Sequence, residues 1–126
     1  MKHLLDVNVL LAAIWATHLD NAKTLAWLDD KPIALCPIAE LGFLRISTNP
    51  KSTFGATMDK ARDVLQTFKR ERKADWIADD LEALDSVAKT SNQVTDCYLA
   101  DLADKHGLKL ATLDAGIKHR AVELIS

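Results

Sequence analysis

The segment KHLLDVNVLLAAIWA, residues 2–16, decides how the rest of the chain is read. Lys2–Leu5 is a short apolar strand, and it stops at Asp6. Val7–Ala16 is apolar nearly all round, the mark of a helix buried on every side. A carboxylate wedged between two such stretches stands at the carboxyl end of a strand that is itself buried. Such a strand belongs near the centre of a parallel sheet covered on both faces.

Outward from this segment the same alternation recurs. A helix is expected over Asp20–Asp29, with Asp20 as its cap and Ala22, Leu25 and Ala26 on one face. Ile33–Leu35 is a second strand. Cys36-Pro37 separates it from a helix over Ile38–Thr48, which Asn49-Pro50 ends. Lys51–Ala56 is a loop. Thr57–Glu71 is the clearest amphipathic helix, with Met58, Ala61, Leu65 and Phe68 at helical spacing. A strand at Asp75–Ala78, a helix at Asp80–Lys89 and a helix at Val94–Lys105 follow, the last closed by His106-Gly107. Leu108–Thr112 is a strand ending near Asp114, Ala115–Arg120 a short helix and Val122–Ile125 a last strand. Short strands alternating with helices predict one α/β domain over residues 1–126, a three-layer α/β/α sandwich around a parallel sheet.

Composition agrees with one globular domain. The chain has 126 residues, 48% of them hydrophobic and 27% charged, which argues against disorder. Cys36 and Cys97 form no CxxC pair, so neither a disulfide framework nor a zinc site is implied. Asp6 and Asn8 interrupt the apolar start, and no segment approaches ~20 apolar residues. The expectation is a soluble, cytoplasmic protein with no membrane association. The net charge of −2 excludes a protein that coats nucleic acid by bulk positive charge.

Four carboxylates stand where a carboxylate needs a reason. Asp6 and Asp114 each follow an apolar strand, and in open α/β sheets the ligand crevice lies outside the carboxyl ends of the strands. If those strands are neighbours, their ends are ~5 Å apart. Glu40 lines up with Phe43 and Leu44 on an otherwise apolar helix, and Asp96 with Leu99, Ala100 and Ala103, so both point inward. An acid on an apolar face is costly unless it is paired or binds a metal. Each has a plain structural reading as well: Asp6 and Asp114 as helix caps, Asp96 in a favourable first turn, Glu40 paired with Arg45 or another base. Together they can converge on one crevice, and an all-oxygen set suits Mg²⁺ or Mn²⁺ rather than zinc.

The segments LLDVNVLLA, AELGFLRISTNP, TDCYLADLA and LATLDAGI resemble the PIN-domain family, and within it the VapC-type ribonuclease toxins of bacterial toxin–antitoxin modules. Order and spacing match over essentially the whole chain. The resemblance implies that Asp6, Glu40, Asp96 and Asp114 hold Mg²⁺ or Mn²⁺ against an RNA phosphodiester, and that Asn8 and Thr112 help to shape the site. It further implies a homodimer and a VapB-type antitoxin as partner.

Other residues add less. Arg45, Lys118 and Arg120 are candidate RNA contacts, with His119 near the same rim. The basic run Lys69–Lys73 either grips RNA or complements its helix end. The four histidines lack ligand spacing, and Trp15, Trp27 and Trp76 read as core or interface anchors. Two other classes stand beside the nuclease. One is a phosphoacceptor signalling domain, which the acids on helix starts fit badly. The other is a non-catalytic binding or regulatory module whose carboxylates are helix caps. The four acids account for −4, so the rest of the chain carries +2. Residues 69–73 sum to +3 and residues 75–85 to −5. A metal in the crevice would offset its acidity and let a polyanion approach.

Overall fold

The computed structural model describes every residue, Met1–Ser126. Five strands form one sheet: β1 (His3–Leu5), β2 (Ile33–Leu35), β3 (Asp75–Trp76), β4 (Lys109–Thr112) and β5 (Val122–Leu124), in the order β3-β2-β1-β4-β5. Every pairing is parallel. β1 is therefore central, and its residues are fully enclosed. The helices are α1 (Val7–Ile14), α2 (Asn21–Leu28), α3 (Pro37–Thr48), α4 (Met58–Arg72) and α5 (Val94–Lys105). From β1 the chain steps outward through β2 to β3, then returns past β1 to β4. Right-handed crossovers put the helices of the two directions on opposite faces of the sheet. That makes three layers and places the switch point between β1 and β4, where a crevice forms at the carboxyl ends.

The core runs through all three layers. Leu4, Leu5, Val9, Leu10, Leu35, Phe43, Leu99 and Leu110 are wholly buried. Thr57 caps α4 by accepting the Lys60 N–H, and Gly107, at φ 70°, closes α5 in the left-handed conformation its position was expected to need. Cys36 is buried and free, and burial pushes its thiol up to about 12, as suits an inert packing residue. No helix is long and apolar enough to cross a membrane.

Gly42 sets the distance between α1 and α3. A methyl group there would stand 2.6 Å from Val7 Cγ2 and 3.2 Å from Cγ1. Alanine is favoured over glycine in a helix by up to about 1 kcal/mol, yet overpacking of a stiff, β-branched neighbour costs about 1–3 kcal/mol. Gly42→Ala is therefore expected to lower stability in urea unfolding by about 1 kcal/mol, with recovery in Gly42→Ala/Val7→Ala. A single variant at least as stable as wild type would deny the close approach.

Three expected elements differ. The segment Asp80–Lys89 is not a helix: only Ala83–Asp85 makes a 3₁₀ turn. Leu81 is held instead by Tyr98, whose hydroxyl donates to Leu81 O (2.9 Å) and faces its N–H (3.4 Å). His106 and Lys105 fix Asp80, and Leu84 and Val87 are left exposed. Ala115–Arg120 is not a helix either. Asp114 accepts the Gly116 N–H and His119 Nδ1 accepts the Ala121 N–H, which curls the chain through turns. Asp20 makes no side-chain cap on α2; its own N–H donates to His18 Nδ1.

Candidate active site

β1 and β4 pair directly, with Leu5 opposite Ala111, and the ladder continues as the Asp6 N–H donates to Ala111 O at 3.0 Å. Asp6 thus leaves the sheet beside the end of β4. It is 3% exposed. Its Oδ1 accepts the Val7 N–H at 2.7 Å and its Oδ2 the Thr112 hydroxyl at 2.8 Å. Thr112 Oγ1 in turn accepts the Asp114 N–H at 3.1 Å and Asn8 Nδ2 at 3.4 Å. Asn8 Oδ1 accepts the Leu113 N–H at 3.2 Å. One buried hydroxyl and one amide therefore tie the DVN and TLD segments into a single network, and its members fix one another.

Asp6, Asp96 and Asp114 line a common cavity of about 620 Å³, walled by α1 and α3. Asp96 comes from the first turn of α5 and makes no hydrogen bond or ion pair. Burial, and then the charges of Asp6 and Asp114, push its carboxyl up to about 6. Asp6 is raised as well, by burial first, against the lowering effect of Thr112 and Val7 and with Asp114 adding to the rise. The helix dipole that favours an acid at the start of α5 is outweighed at Asp96. None of the three pairs with a base. They do not stand as a finished ligand set, because no three side chains are gathered at metal-holding distance. Their chemistry nonetheless fits a hard divalent cation: oxygen donors only, like-charged and without a counter-ion.

The structure does not bring every expected residue to this cavity. Glu40 faces α4, where its Oε2 lies 2.5 Å from Lys69 Nζ, and it lines a separate groove beside Arg62 and Arg70. It points inward as its spacing required, but into the α3–α4 contact. The face of α3 that meets the acids is the one carrying Gly42 and Arg45. Arg45 lines the cavity and pairs with no acid, so it braces none of them. Lys118 lies in a second cavity of about 360 Å³ that shares Asp96 and Asp114 with the first. Arg120 is not at the rim: Asp104 binds it, with Nη2 at 2.6 Å and Nε at 3.1 Å, and it lines a cavity with Met1 and Gly107. His119 is likewise drawn to Asp101 at 2.8 Å. The turns that replace the expected helix after Asp114 carry both residues back along α5.

Two supporting residues escaped the sequence. Asp79 Oδ2 accepts the Ile38 N–H at 3.1 Å and so caps α3 from a distant loop; no local spacing announces this. Thr95 lines the main cavity, and its place beside Asp96 was the available signal. Trp15 stacks on Phe43 and Phe54 and donates to Ser47 Oγ, so it is a core anchor.

Comparison with known proteins agrees with this fold. Residues 3–123 match the family model described as PIN domain. The chain is 37% identical to Ribonuclease VapC38 of Mycobacterium tuberculosis over 121 residues, covering 90% of this chain and 86% of the relative. It is 32% identical to Ribonuclease VapC44 of the same species, covering 97% and 92%. Among solved structures it resembles VapBC2 from Rickettsia felis bound to a promoter DNA fragment, with a TM-score of 0.67, 16% identity and full coverage of both chains. FitAcB from Neisseria gonorrhoeae is similar at a TM-score of 0.55 and 21% identity, covering 92% of this chain and 89% of that one.

Proposed function

Since the chain belongs to the PIN-domain family, we propose that it is a Mg²⁺- or Mn²⁺-dependent endoribonuclease, the toxin of a toxin–antitoxin pair. The observation that carries this reading is the convergence of three unpaired carboxylates on one cavity at the switch point of the sheet. Relatives at 37% and 32% identity are named ribonucleases.

Asp6, Asp96 and Asp114 would hold the cation, which when bound supplies Lewis-acid activation of water and of the phosphodiester. Thr112 and the Val7 N–H keep Asp6 oriented and offset part of the cost of its buried charge, the role of hydrogen-bond partners behind a ligand. Asn8 holds the Asp114 segment against α1. Arg45 and Lys118, free of ion pairs, present positive charge to the phosphates on either side of the acids. Water is the nucleophile and the 3′-oxygen leaves, so one product carries a 5′-phosphate and the other a 3′-hydroxyl. Glu40, paired with Lys69, is the resemblance's fourth acid and stands outside the cavity; its part is to tie α3 to α4 unless that pair opens.

By the same reading a VapB-type antitoxin is the inhibitory partner and the active form is a homodimer. Both rest on the family, in which the Rickettsia felis neighbour is a VapBC pair. The test is expression of wild type and Asp96→Asn in cells, with transcriptome-wide mapping of RNA 5′ ends. Growth arrest and a dominant cleavage site are expected for wild type and neither for the variant. Identical behaviour of the two would remove the nuclease reading and favour the binding module.

A further inference from the structure

The fold divides the basic run at the end of α4. Arg72 turns away, donating to Asp29 O and packing on the Phe68 ring. Lys69 and Arg70 instead join Arg62 and Gln66, at helical spacing, on one stripe of α4. With Glu40 and Leu44 of α3 they line a groove of about 520 Å³, and Leu65 completes its apolar base. No residue of this groove lines the cavity of Asp6, Asp96 and Asp114, so the two openings lie on different flanks of α3. Lys69 is held by Glu40. Arg62 reaches Asp59 only at 3.7 Å, an exposed pair worth little. Arg70 forms no ion pair with any carboxylate.

We propose that the α3–α4 groove docks an acidic amphipathic helix of a partner protein. Arg62 and Arg70 stand two turns apart on α4, ~12 Å along its axis. A helix laid alongside α4 rises at the same rate, so carboxylates seven or eight residues apart on it meet both guanidinium groups. An aliphatic side chain between them covers Leu44 and Leu65, the helix-in-groove mode of recognition. The arginine stems extend that apolar base while their charged heads stay at the rim. A polyanionic backbone fits less well. It has nothing to place on two leucines, it meets the Glu40 carboxylate, and the basic run that would have tracked it is split between two sides of α4. Charge at the rim selects the partner and speeds its approach, and the leucines hold it.

The test is titration of the whole protein with labelled heptad peptides, followed by fluorescence anisotropy. The probe carries Leu at every a and d position and Glu at every e and g. One control replaces each Glu by Lys, and a second replaces each Leu by Ser. The acidic Leu probe is expected to bind at least tenfold more tightly than either control. Arg62→Glu with Arg70→Glu is expected to weaken it at least tenfold and to let the Lys peptide bind in its place. A variant that merely misfolds gains no such affinity. Asp96→Asn and an excess of RNA octamer are both expected to leave binding of the acidic probe unchanged, because neither acts at this groove. Equal binding of the Ser control would make the groove a plain anion site. Displacement by the RNA octamer would make it a nucleic-acid surface, and binding indifferent to the reversed arginines would place the peptide elsewhere. Each of these three results overturns the proposal, as does a reversed variant that fails to take up the Lys peptide.

Discussion

Asp96→Asn is expected to reduce metal-dependent RNA cleavage by more than ~100-fold while making the metal-free protein more stable at pH 7.5. Loss of a partner behind a metal ligand already costs about 10–100-fold, so loss of a ligand carboxylate exceeds that range. The stability gain follows from what Asp96 lacks. It has no hydrogen bond and no counter-ion to lose, and burial together with Asp6 and Asp114 raises its carboxyl to about 6. The folded state therefore binds more protons than the unfolded chain between pH 4 and pH 6. Stability falls as pH rises through that window, and asparagine removes the fall. After discounting for solvent around a half-exposed group, the gain is about 1 kcal/mol, or roughly 4 °C in Tm. At pH 3.5 the two proteins should melt alike. A variant less stable than wild type at pH 7.5 would mean that Asp96 makes a favourable contact in solution. Full activity would take it out of the site.

Mn²⁺ is expected to reverse that pH dependence. Mass action gives about 2.7 kcal/mol of stabilisation when the free ion is 100 times its Kd, a rise on the order of 10 °C at this chain length. The rise should shrink towards pH 5, where the carboxylates must lose protons before they can ligate. It should be small in Asp96→Asn at any pH. Differential scanning calorimetry with and without millimolar Mn²⁺ reads both effects. An unchanged Tm for wild type at pH 7.5 would leave the fold intact and the metal site without support. It would also favour the reading of the acids as caps, since Asp6 does accept the Val7 N–H at the start of α1.

The central strand and its buried helix were legible because residues 4–16 are apolar except at Asp6 and Asn8, which line the crevice. The neighbouring of Asp6 and Asp114 was conditional on strand order, and the β1–β4 pairing meets that condition. Spacing alone could say that Glu40 faces inward, yet not which inward surface it meets. That depended on where α4 docks and brings Lys69. The Asp80–Lys89 segment has helical spacing and a possible cap, but so short a helix is marginal unless a face is buried. Only Leu81 is docked, and Tyr98 fixes it by the backbone. Asp79 at the start of α3, Arg120 on Asp104 and His106 on Asp80 are all contacts between distant segments. No local pattern encodes them.

The strand order also bears on when the chain can act. Asp6 follows the first strand made and Asp114 the fourth, and β4 must pair with β1 before Thr112 reaches Asp6. A growing chain that has emerged only as far as α5 has Asp6 and Asp96 but neither Thr112 nor Asp114. Synthesis thus imposes a delay between translation of the opening segment and the appearance of a formed site. A ribosome that stalls before β4 releases a fragment with all five helices and no complete centre.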